Sequence, residues 1–261
     1  DIVIKNPAVP LTSPYLAKAK RIETDISVFL SEFHGDIIAV TGSKGKSTTV
    51  SAIYHACRKL KKNTFLGGNI TISPLSFLHE LTDSSLVILE LSSWQLADIM
   101  GKNLLHPKVA VITNIMHEHQ NRYSCMQEYA DDKKVIYQSQ SRDQFTICSD
   151  GDSYGHQFFD ETPGHPIWIS DSDKGLEEQI WLENRMGYIK INGKKEQILP
   201  EKLLIPGEHN RKNLLTAAAA MYLYGFGGTD IMDALSDFRG IPHRLEFIRE
   251  LEGRAFYNDT T

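Results

Sequence analysis

The chain has 261 residues and a formal net charge of −5, and 41% of its residues are hydrophobic. This composition is typical of a globular protein with one large domain or two small ones. The acidic balance argues against a nucleic-acid partner, because general nucleic-acid-binding proteins have a basic face. No apolar run approaches the roughly 20 residues that a membrane helix needs, so we expect no membrane partner. The three widely spaced cysteines predict a reducing compartment and no zinc site.

Both ends of the chain lie inside predicted elements. The sequence starts in an apolar strand, Ile2-Val3-Ile4, and stops just after another apolar segment. Natural domains seldom begin and end in this way, so we expect a fragment of a longer enzyme. Three prolines follow the first strand and indicate a connector, after which a helix extends to about residue 33.

The strongest local signal begins with the apolar run 37–41, which predicts a strand. The chain then reads Gly42-Ser43-Lys44-Gly45-Lys46-Ser47-Thr48 and continues with helical spacing. Strand, glycine loop and helix together bind phosphate, because the loop N–H groups and the positive helix end point at the anion. Lys46 would reach the terminal phosphates, and Ser47 or Thr48 would hold Mg²⁺. Val40 stands where the usual loop has its first glycine, so the loop is a shortened form; the alternative is a glycine-rich turn with a chance lysine.

Two more apolar runs, 86–91 and 109–114, predict buried strands. Strands that alternate with helices imply an α/β fold with a mostly parallel sheet and helices on both faces. Ligands of such sheets bind beyond the carboxyl ends of the strands. The polar residues that follow strands in this sense should converge, and they are Lys46, Asn69, Glu90 and Asn114.

The pattern changes between about residues 145 and 205. Short strands are predicted at 145–148, 167–169, 179–182 and 188–191, and Asn192-Gly193 is typical of a hairpin turn. We expect a small antiparallel β extension in this region. Helices are then predicted to about residue 224 and over 230–238, with two terminal strands at 245–248 and 255–257.

Glu90 lies at the end of an apolar strand, where a phosphate-loop enzyme places a second Mg²⁺ ligand. An ionised carboxylate in such a run costs several kcal/mol unless it is paired or bound to a metal. The alternative is a glutamate that reaches solvent at the strand end.

Three further polar groups leave alternatives open. The run 117–119, His-Glu-His, could bind metal or form a polar loop, and its spacing does not fit a zinc hydrolase. The run 131–134, Asp-Asp-Lys-Lys, favours a solvated helix face. Asn210 and Asn213 could cap a helix or contact an adenine edge.

Together these motifs resemble those of the Mur ligase family. Residues 42–48 are similar to the family's GTNGKST loop, 114–123 to its N-x-x-x-D-H-x-D-R-Y, 207–213 to G-x-H-N-x-x-N, 242–246 to P-H-R-x-E and 258–259 to N-D-S/T. Residues 90–96 are similar to the ELSSFQL segment that is typical of one member, whereas sister ligases differ after the glutamate. Six motifs in the family's order cover the chain from about 40 to 260, which is far more specific than any one of them.

The resemblance implies a role for each matched residue. ATP would be held by Gly42, Ser43, Lys44, Gly45, Lys46, Ser47 and Thr48 at the phosphates, Asn210 and Asn213 at adenine, Arg244 at the γ-phosphate and Asp259 at the ribose. One Mg²⁺ would be held by Ser47 and Glu90, and a second by His119. Lys133, or Lys134 in a shifted register, would be carbamylated by CO₂ and support the second metal, and Asn69 and Ser92 would contact the acyl substrate. Lys46, His119 and Lys133 would be the catalytic residues.

The implied activity is ATP-driven amide formation in peptidoglycan precursor synthesis, through an acyl phosphate. The segment 90–96 is most similar to the member that adds D-glutamate to UDP-N-acetylmuramoyl-L-alanine. The resemblance implies a cytoplasmic enzyme, and we expect a monomer. The implied divisions are 1–33 as the end of a UDP-binding domain and its linker, 34–244 as a central phosphate-loop ATP-binding domain and 245–261 as the start of a third domain. We expect this polypeptide alone to ligate nothing.

Some residues depart from the family pattern, and other functions remain as alternatives. Lys44 replaces the commoner Asn, Glu118 and Asn121 replace Asp, and Asn6-Pro7-Ala8 stands where Ser-Pro-Gly is usual. The nearest alternative is a sister ligase of the folylpolyglutamate or diaminopimelate-adding type. A GTP-binding switch is disfavoured because no Asn-Lys-x-Asp guanine motif is present, and a small-molecule kinase would leave phosphate stably on its product.

Overall fold

The computed structural model describes residues 2–10, 12–61, 63–70, 72–118, 122–244 and 246–259. The strands are β1 (Ile2–Ile4), β2 (Arg21–Glu23), β3 (Asp36–Thr41), β4 (Thr64–Gly68), β5 (Leu86–Glu90), β6 (Val109–Ile112), β7 (Phe145–Ser149), β8 (His165–Ser170), β9 (Gln179–Glu183), β10 (Met186–Ile191), β11 (Lys194–Leu199), β12 (Glu246–Leu251) and β13 (Arg254–Asn258). The helices are α1 (Asp25–Glu32), α2 (Lys46–Leu60), α3 (Ser93–Ile99), α4 (Met126–Lys134), α5 (Ser153–Glu161), α6 (Glu208–Tyr224) and α7 (Gly228–Leu235), with 3₁₀ turns at Pro14–Leu16 and Pro74–Glu80.

Nine strands of the described chain form one sheet, in the order β11-β10-β9-β8-β7-β6-β3-β5-β4. The pairs from β4 to β9 are parallel, and β9, β10 and β11 pair antiparallel. The predicted α/β fold with a mostly parallel sheet is confirmed. Since β3 lies beside both β5 and β6, the loops that follow these three strands meet at one edge of the sheet.

The antiparallel extension is present but shorter than the predicted range 145–205. Strands β7 and β8 belong to the parallel sheet, because helix α5, which the sequence analysis did not predict, connects them as a crossover. The antiparallel part covers residues 179–199, where both turn residues between β10 and β11, Asn192 and Gly193, have positive φ.

Helices cover both faces of the sheet because its inner strands are apolar on both sides. In β5, Leu86 and Ile88 pack into a cluster with α2, α6 and α7, while Val87 and Leu89 pack into a second cluster with α1, α3, α4 and α5. All four side chains are fully buried. The alternation of neighbouring side chains along a strand therefore supplies both cores.

Helix α1 precedes the domain boundary predicted at residue 33 and packs on the central sheet. It begins with a capping box between Thr24 and Ser27, and its Phe29 and Leu30 are buried in the same cluster as Val87 and Leu89 of β5. The sequence between residues 126 and 140 predicts a single helix, whereas the structure has the shorter α4, Met126–Lys134.

The two chain ends form small sheets of their own. Strands β1 and β2 pair in parallel, and β12 and β13 form an antiparallel hairpin with exposed apolar side chains. Within the described ranges, none of the helices is long and apolar enough to cross a membrane.

Glu23 joins β2 to the central fold. Burial alone would raise the pKa of its carboxyl group, but hydrogen bonds from Lys102, Ser27 and Arg21 lower that pKa to about 2. The Lys102 Nζ lies 2.8 Å from one carboxylate oxygen, and the Arg21 Nε lies 2.6 Å from the other.

We predict that Glu23→Gln destabilises the fold in a pH-dependent way. A depressed carboxyl pKa contributes stability above the unfolded value of 4.5, and this contribution is lost as pH falls toward the folded value of about 2. Urea unfolding should show the largest wild-type-minus-variant difference at neutral pH and a shrinking difference between these two values. The exposed Glu177→Gln is the matched control, and a Glu23→Gln difference that does not change with pH would contradict the prediction.

Candidate active site

The loop after β3 has a backbone that only glycine accommodates at two positions. Gly42 has φ +137°, and a Cβ there would lie 2.0 Å from Thr113 Oγ1. Gly45 has φ +86°, and a Cβ there would lie 2.3 Å from Asn213 Oδ1. Helix α2 starts directly after Gly45, so the free N–H groups of its first turn adjoin the loop. The predicted strand, glycine loop and helix are all present.

The segment after β6 fixes the shape of this loop. Ser43 N donates to Asn114 O over 2.9 Å, and Lys44 N donates to Asn114 Oδ1 over 3.0 Å. Thr113 Oγ1 donates to Lys44 O over 2.6 Å. These bonds satisfy the N–H groups of Ser43 and Lys44 and the carbonyl of Lys44, and so hold the loop backbone in one conformation.

Lys46 lies over its own loop. Its Nζ donates to Gly42 O over 2.9 Å and to Ser43 O over 2.8 Å. Burial lowers the pKa of Lys46, and the carboxylates of Glu90 and Glu118 act in the opposite direction. The ammonium group is held at the centre of the loop, where an anion would take the place of the carbonyl contacts.

Lys133 is the second lysine at this loop. It is 1% exposed, and its Nζ donates to Gly42 O over 3.1 Å and to Thr41 Oγ1 over 3.3 Å. The same Nζ lies 4.5 Å from the centre of the Tyr129 ring. Burial, with the nearby charge of Lys46, lowers the pKa of Lys133 to about 7. A buried amine in this range is neutral much of the time and is then nucleophilic.

The structure separates Lys133 from its sequence neighbour. Lys134 pairs with Asp131 over 2.9 Å and with Glu161 over 2.8 Å, away from the loop. Only the former of these two lysines reaches Gly42. The solvated face favoured for residues 131–134 does not describe Lys133, and the Lys134 side chain, which is 13% exposed, is held in ion pairs.

Glu90 is buried at the end of β5 with half of its carboxylate unsatisfied. It is 1% exposed, and Asn69 Nδ2 donates to its Oε1 over 2.9 Å. Its Oε2 has no hydrogen-bond partner among the described residues. A buried carboxylate oxygen in this state is costly and fits a hard cation such as Mg²⁺.

The rest of the predicted metal set is only partly described. Ser47 lines the same cavity as Glu90, whereas His119 lies outside the described residues. Among the described residues, no three His, Cys, Asp or Glu side chains are grouped to hold a metal.

Three cavities meet at the loop. The largest, about 760 Å³, lies between the loop, the start of α3 and the turn after β1. A second of about 420 Å³ covers the loop, and a third of about 230 Å³ lies beside the start of α6. The first two share Lys46 and Asn69, and the last two share Gly45 and Arg244. The three cavities therefore adjoin each other at the loop, and Lys46 lines the first two.

The third cavity collects most of the remaining predicted nucleotide residues. Its lining includes Thr48, Asn210, Asn213, Arg244 and Asp259. Asn210 is buried, and its Nδ2 donates to Pro206 O over 2.7 Å, so its side chain also holds the start of α6.

Ser92 lines the largest cavity, and its hydroxyl group caps the N-terminus of α3. The Ser92 Oγ accepts a hydrogen bond from Gln95 N over 3.2 Å, and the Gln95 side chain accepts one from Ser92 N over 3.0 Å. This reciprocal pair is a capping box that starts α3.

Two departures from the family pattern contact each other. Lys44 Nζ lies 2.6 Å from Glu118 Oε1, beside the loop. The sequence gives no sign of this contact, because Lys44 and Glu118 are 74 positions apart in the chain.

Sequence reasoning also missed Lys5 and Tyr129, which line the largest cavity. The sequence indicates a connector after Lys5 and a departure from the family's Ser-Pro-Gly at residues 6–8, but no role for Lys5 itself.

Residues 40–221 match the family model described as the Mur ligase middle domain. The chain therefore belongs to the Mur ligase family, as the motifs predicted.

Curated relatives are named UDP-N-acetylmuramoylalanine--D-glutamate ligase. The chain is 39% identical to the one from Borreliella afzelii over 267 residues, covering 100% of this chain and 56% of that protein. It is 31% identical to the one from Treponema pallidum over 332 residues, covering 99% of this chain and 62% of that protein. The chain thus spans about half to two thirds of the length of these relatives.

Solved structures share the fold. MurF from Acinetobacter baumannii has a TM-score of 0.67 at 21% identity, over 91% of this chain and 55% of that one. MurF ligase from Thermotoga maritima, solved in complex with ADP, has a TM-score of 0.64 at 19% identity, over 94% and 60%.

We predict that Gly42→Ala disrupts the loop, while Gly193→Ala does not. Both glycines have positive φ, which costs an alanine about 1–2 kcal/mol, but a Cβ on Gly193 would meet nothing within 4 Å. The Gly42 variant must also displace Thr113, so its unfolding free energy should fall further. Amide hydrogen exchange at residues 43–46 should accelerate in Gly42→Ala only, and equal exchange in both variants would contradict the prediction.

Proposed function

We propose that the full-length protein containing this chain is an ATP-dependent ligase that joins D-glutamate to UDP-N-acetylmuramoyl-L-alanine in peptidoglycan precursor synthesis. The names of the curated relatives support this activity and these substrates. The observation that carries the proposal is the adjacency of three cavities at the loop, two of which are lined by Lys46. This arrangement lets a nucleotide and a carboxylate substrate meet at one ammonium group.

The nucleotide occupies the two smaller cavities in this proposal. Residues 42–48 bind the phosphates through Lys46 and the free N–H groups at the start of α2, since the N–H groups of Ser43 and Lys44 bond to Asn114. Asn210 and Asn213 contact adenine, Asp259 the ribose and Arg244 the γ-phosphate. These four side chains belong to residues that line the third cavity, which supports the assignment.

The acyl substrate occupies the largest cavity, with its carboxylate toward Lys46. Asn69 is suited to contact it because its side chain lines both this cavity and the one over the loop. Ser92 also lines the cavity, but its hydroxyl caps α3. We therefore assign Ser92 to the orientation of α3, whose Trp94 and Gln95 form part of the same wall.

Ser47 and Glu90 would hold one Mg²⁺, since the unpartnered Oε2 of Glu90 is an oxygen ligand without another use. His119 would hold a second, supported by a carbamate on Lys133. When bound, the metal ions would screen the repulsion between the substrate carboxylate and the triphosphate. Carbamylation joins the neutral Lys133 amine to CO₂, releases a proton and leaves an anion, and the buried, weakly basic amine favours this addition.

The reaction proceeds in two transfers. A carboxylate oxygen attacks the γ-phosphorus, the bond from that phosphorus to the β-phosphate oxygen breaks, and ADP leaves. The amine of D-glutamate then attacks the acyl carbon, phosphate leaves and the nitrogen loses a proton. The Lys46 ammonium and the loop N–H groups stabilise the charge that builds on the phosphoryl oxygens.

The remaining assignments are part of the same proposal. We place the central ATP-binding domain from residue 25 to residue 244, with the hairpin β12–β13 as the start of the next domain. The ligase acts in the cytoplasm, where its nucleotide-linked substrates and ATP are present, and as a monomer.

We predict that the full-length protein sustains ADP formation over many turnovers when UDP-N-acetylmuramoyl-L-alanine is present together with D-glutamate, or with hydroxylamine as the substitute amine. Hydroxylamine should trap the acyl phosphate when D-glutamate is omitted. Lys46→Ala should lower kcat by about 10²–10³, the loss typical when one charge-stabilising donor is removed. Lys59→Ala, on the outer end of α2, is the control. Activity with diaminopimelate in place of D-glutamate would favour a sister ligase, and dependence on GTP would overturn the nucleotide assignment.

We predict a carbamate on Lys133. Carbon-13 NMR of the full-length protein in labelled bicarbonate should show one protein-bound carbamate signal. Lys133→Arg should abolish the signal, because arginine remains charged and cannot add CO₂. Lys134→Arg should keep it, since Lys134 pairs with Asp131 and Glu161 instead. A signal that persists in Lys133→Arg would refute the assignment.

A further inference from the structure

A buried ion pair lies behind one wall of the largest cavity. Lys5 Nζ is 2.6 Å from Asp98 Oδ2, and both side chains are 2% exposed. The pair connects the residue after β1 to the last turn of α3, which lie 93 positions apart in the sequence. None of the motifs that carried the proposed function includes either residue.

This pair is a poor source of stability. Burial raises the pKa of Asp98 even though Lys5 and two other cations lower it. The second carboxylate oxygen, Oδ1, is buried with no hydrogen-bond partner among the described residues. The desolvation of two charges commonly exceeds their mutual attraction, so apolar residues of similar size would stabilise this position at least as well. A role in fixing geometry explains the charges better.

The geometry that the pair fixes is a tight turn. Lys5 Nζ also lies 3.4 Å from Asn6 O, which accepts a hydrogen bond from Val9 N over 3.0 Å. The Asn6 side chain accepts another from Ala8 N over 2.9 Å. Asn6, Pro7 and Ala8 all line the largest cavity. The ammonium group therefore joins the cavity wall directly to α3.

A second contact holds the same turn against the same helix. Arg122 Nη1 lies 3.5 Å from Pro7 O, and its guanidinium carbon lies 4.4 Å from the centre of the Trp94 ring. Trp94 is on α3 and also lines the cavity. The turn is thus attached to α3 at two points, through Lys5 at one end of the helix and through Arg122 at the other.

We propose that Lys5 and Asp98 are positioning residues for the acyl substrate: their ion pair holds the turn 6–8 at a set distance from α3 and so determines the width of the cavity. The identity of the ligand rests on the proposed function, whereas the attachment of the turn does not. Neither Lys5 nor Asp98 lines the two cavities assigned to the nucleotide, so we expect the main effect on the acyl substrate.

The test uses three variants of the full-length protein. Asp98→Asn and Lys5→Met each leave one partner of the pair unmatched. The double variant, Lys5→Met with Asp98→Leu, removes both charges and retains apolar volume. Glu183→Gln is the control, because it removes one partner of the exposed ion pair with Lys195, whose N–O distance is 2.8 Å.

Each single variant should raise KM for UDP-N-acetylmuramoyl-L-alanine by about tenfold, with KM for ATP and kcat changed less than about twofold, as expected for lost ground-state binding. The single variants should also lower the melting temperature, because each leaves a buried charge or polar group unpaired, and the double variant should recover it. The double variant should keep a raised KM, because an apolar side chain at position 5 cannot donate a hydrogen bond to Asn6 O. The control should match the wild type. A double variant that recovers both quantities would show a purely structural pair and overturn the proposal, as would single variants with an unchanged KM.

A second measurement does not depend on ligase activity. Amide exchange at Ala8 and Val9 should accelerate in Asp98→Asn and in the double variant, and stay unchanged in Glu183→Gln. If the wild-type protein ligates no D-glutamate, the proposed function fails, but faster exchange would still support the attachment of the turn. Unchanged exchange in Asp98→Asn would overturn the positioning role whatever the enzyme does.

Discussion

The close approach of the loop after β3 to its neighbours is the constraint on which the site depends. A Cβ at Gly42 would overlap Thr113, and one at Gly45 would overlap Asn213. The loop can therefore touch the segment after β6 and the start of α6 at once. This contact places the carbonyl of Gly42 where both Lys46 and Lys133 bond to it. Without the two glycines, the cations and the cavities around them would separate.

The buried charged groups around this loop would be fully paired only with a bound anion and a bound cation. Two lysines share one carbonyl, and burial lowers the pKa of both. In the cavity over the loop, which Lys46 also lines, Glu90 has a buried carboxylate oxygen with no partner in the described chain. Buried groups of this kind persist where function requires them, since unpaired burial is costly. An anion at the lysines and a cation at Glu90 would satisfy both sides, which is the charge pattern of a metal–nucleotide complex.

The turn after β1 and the hairpin β12–β13 differ in how firmly they are attached to the central fold. The turn after β1 is held to α3 by a buried ion pair and by Arg122 over Trp94. The hairpin β12–β13 keeps its apolar side chains largely exposed, and Arg244, just before it, is exposed at the nucleotide cavities. The wall of the acyl cavity is therefore built into the central fold, whereas the residues assigned to the ribose and γ-phosphate come from a segment with few buried contacts.

The sequence by itself determined the phosphate loop, the parallel sheet and the convergence of Lys46, Asn69 and Glu90, because strand and helix periodicity and glycine placement are local signals. Only the tertiary structure decided that Lys133 and not Lys134 faces the loop, since one residue of helix register separates a side chain that bonds to the loop from one that pairs with Asp131 and Glu161. It also decided that β7 and β8 extend the parallel sheet, and that Lys5 meets Asp98. Strand pairing and buried ion pairs join positions far apart in the chain, and a single sequence carries no local record of such contacts.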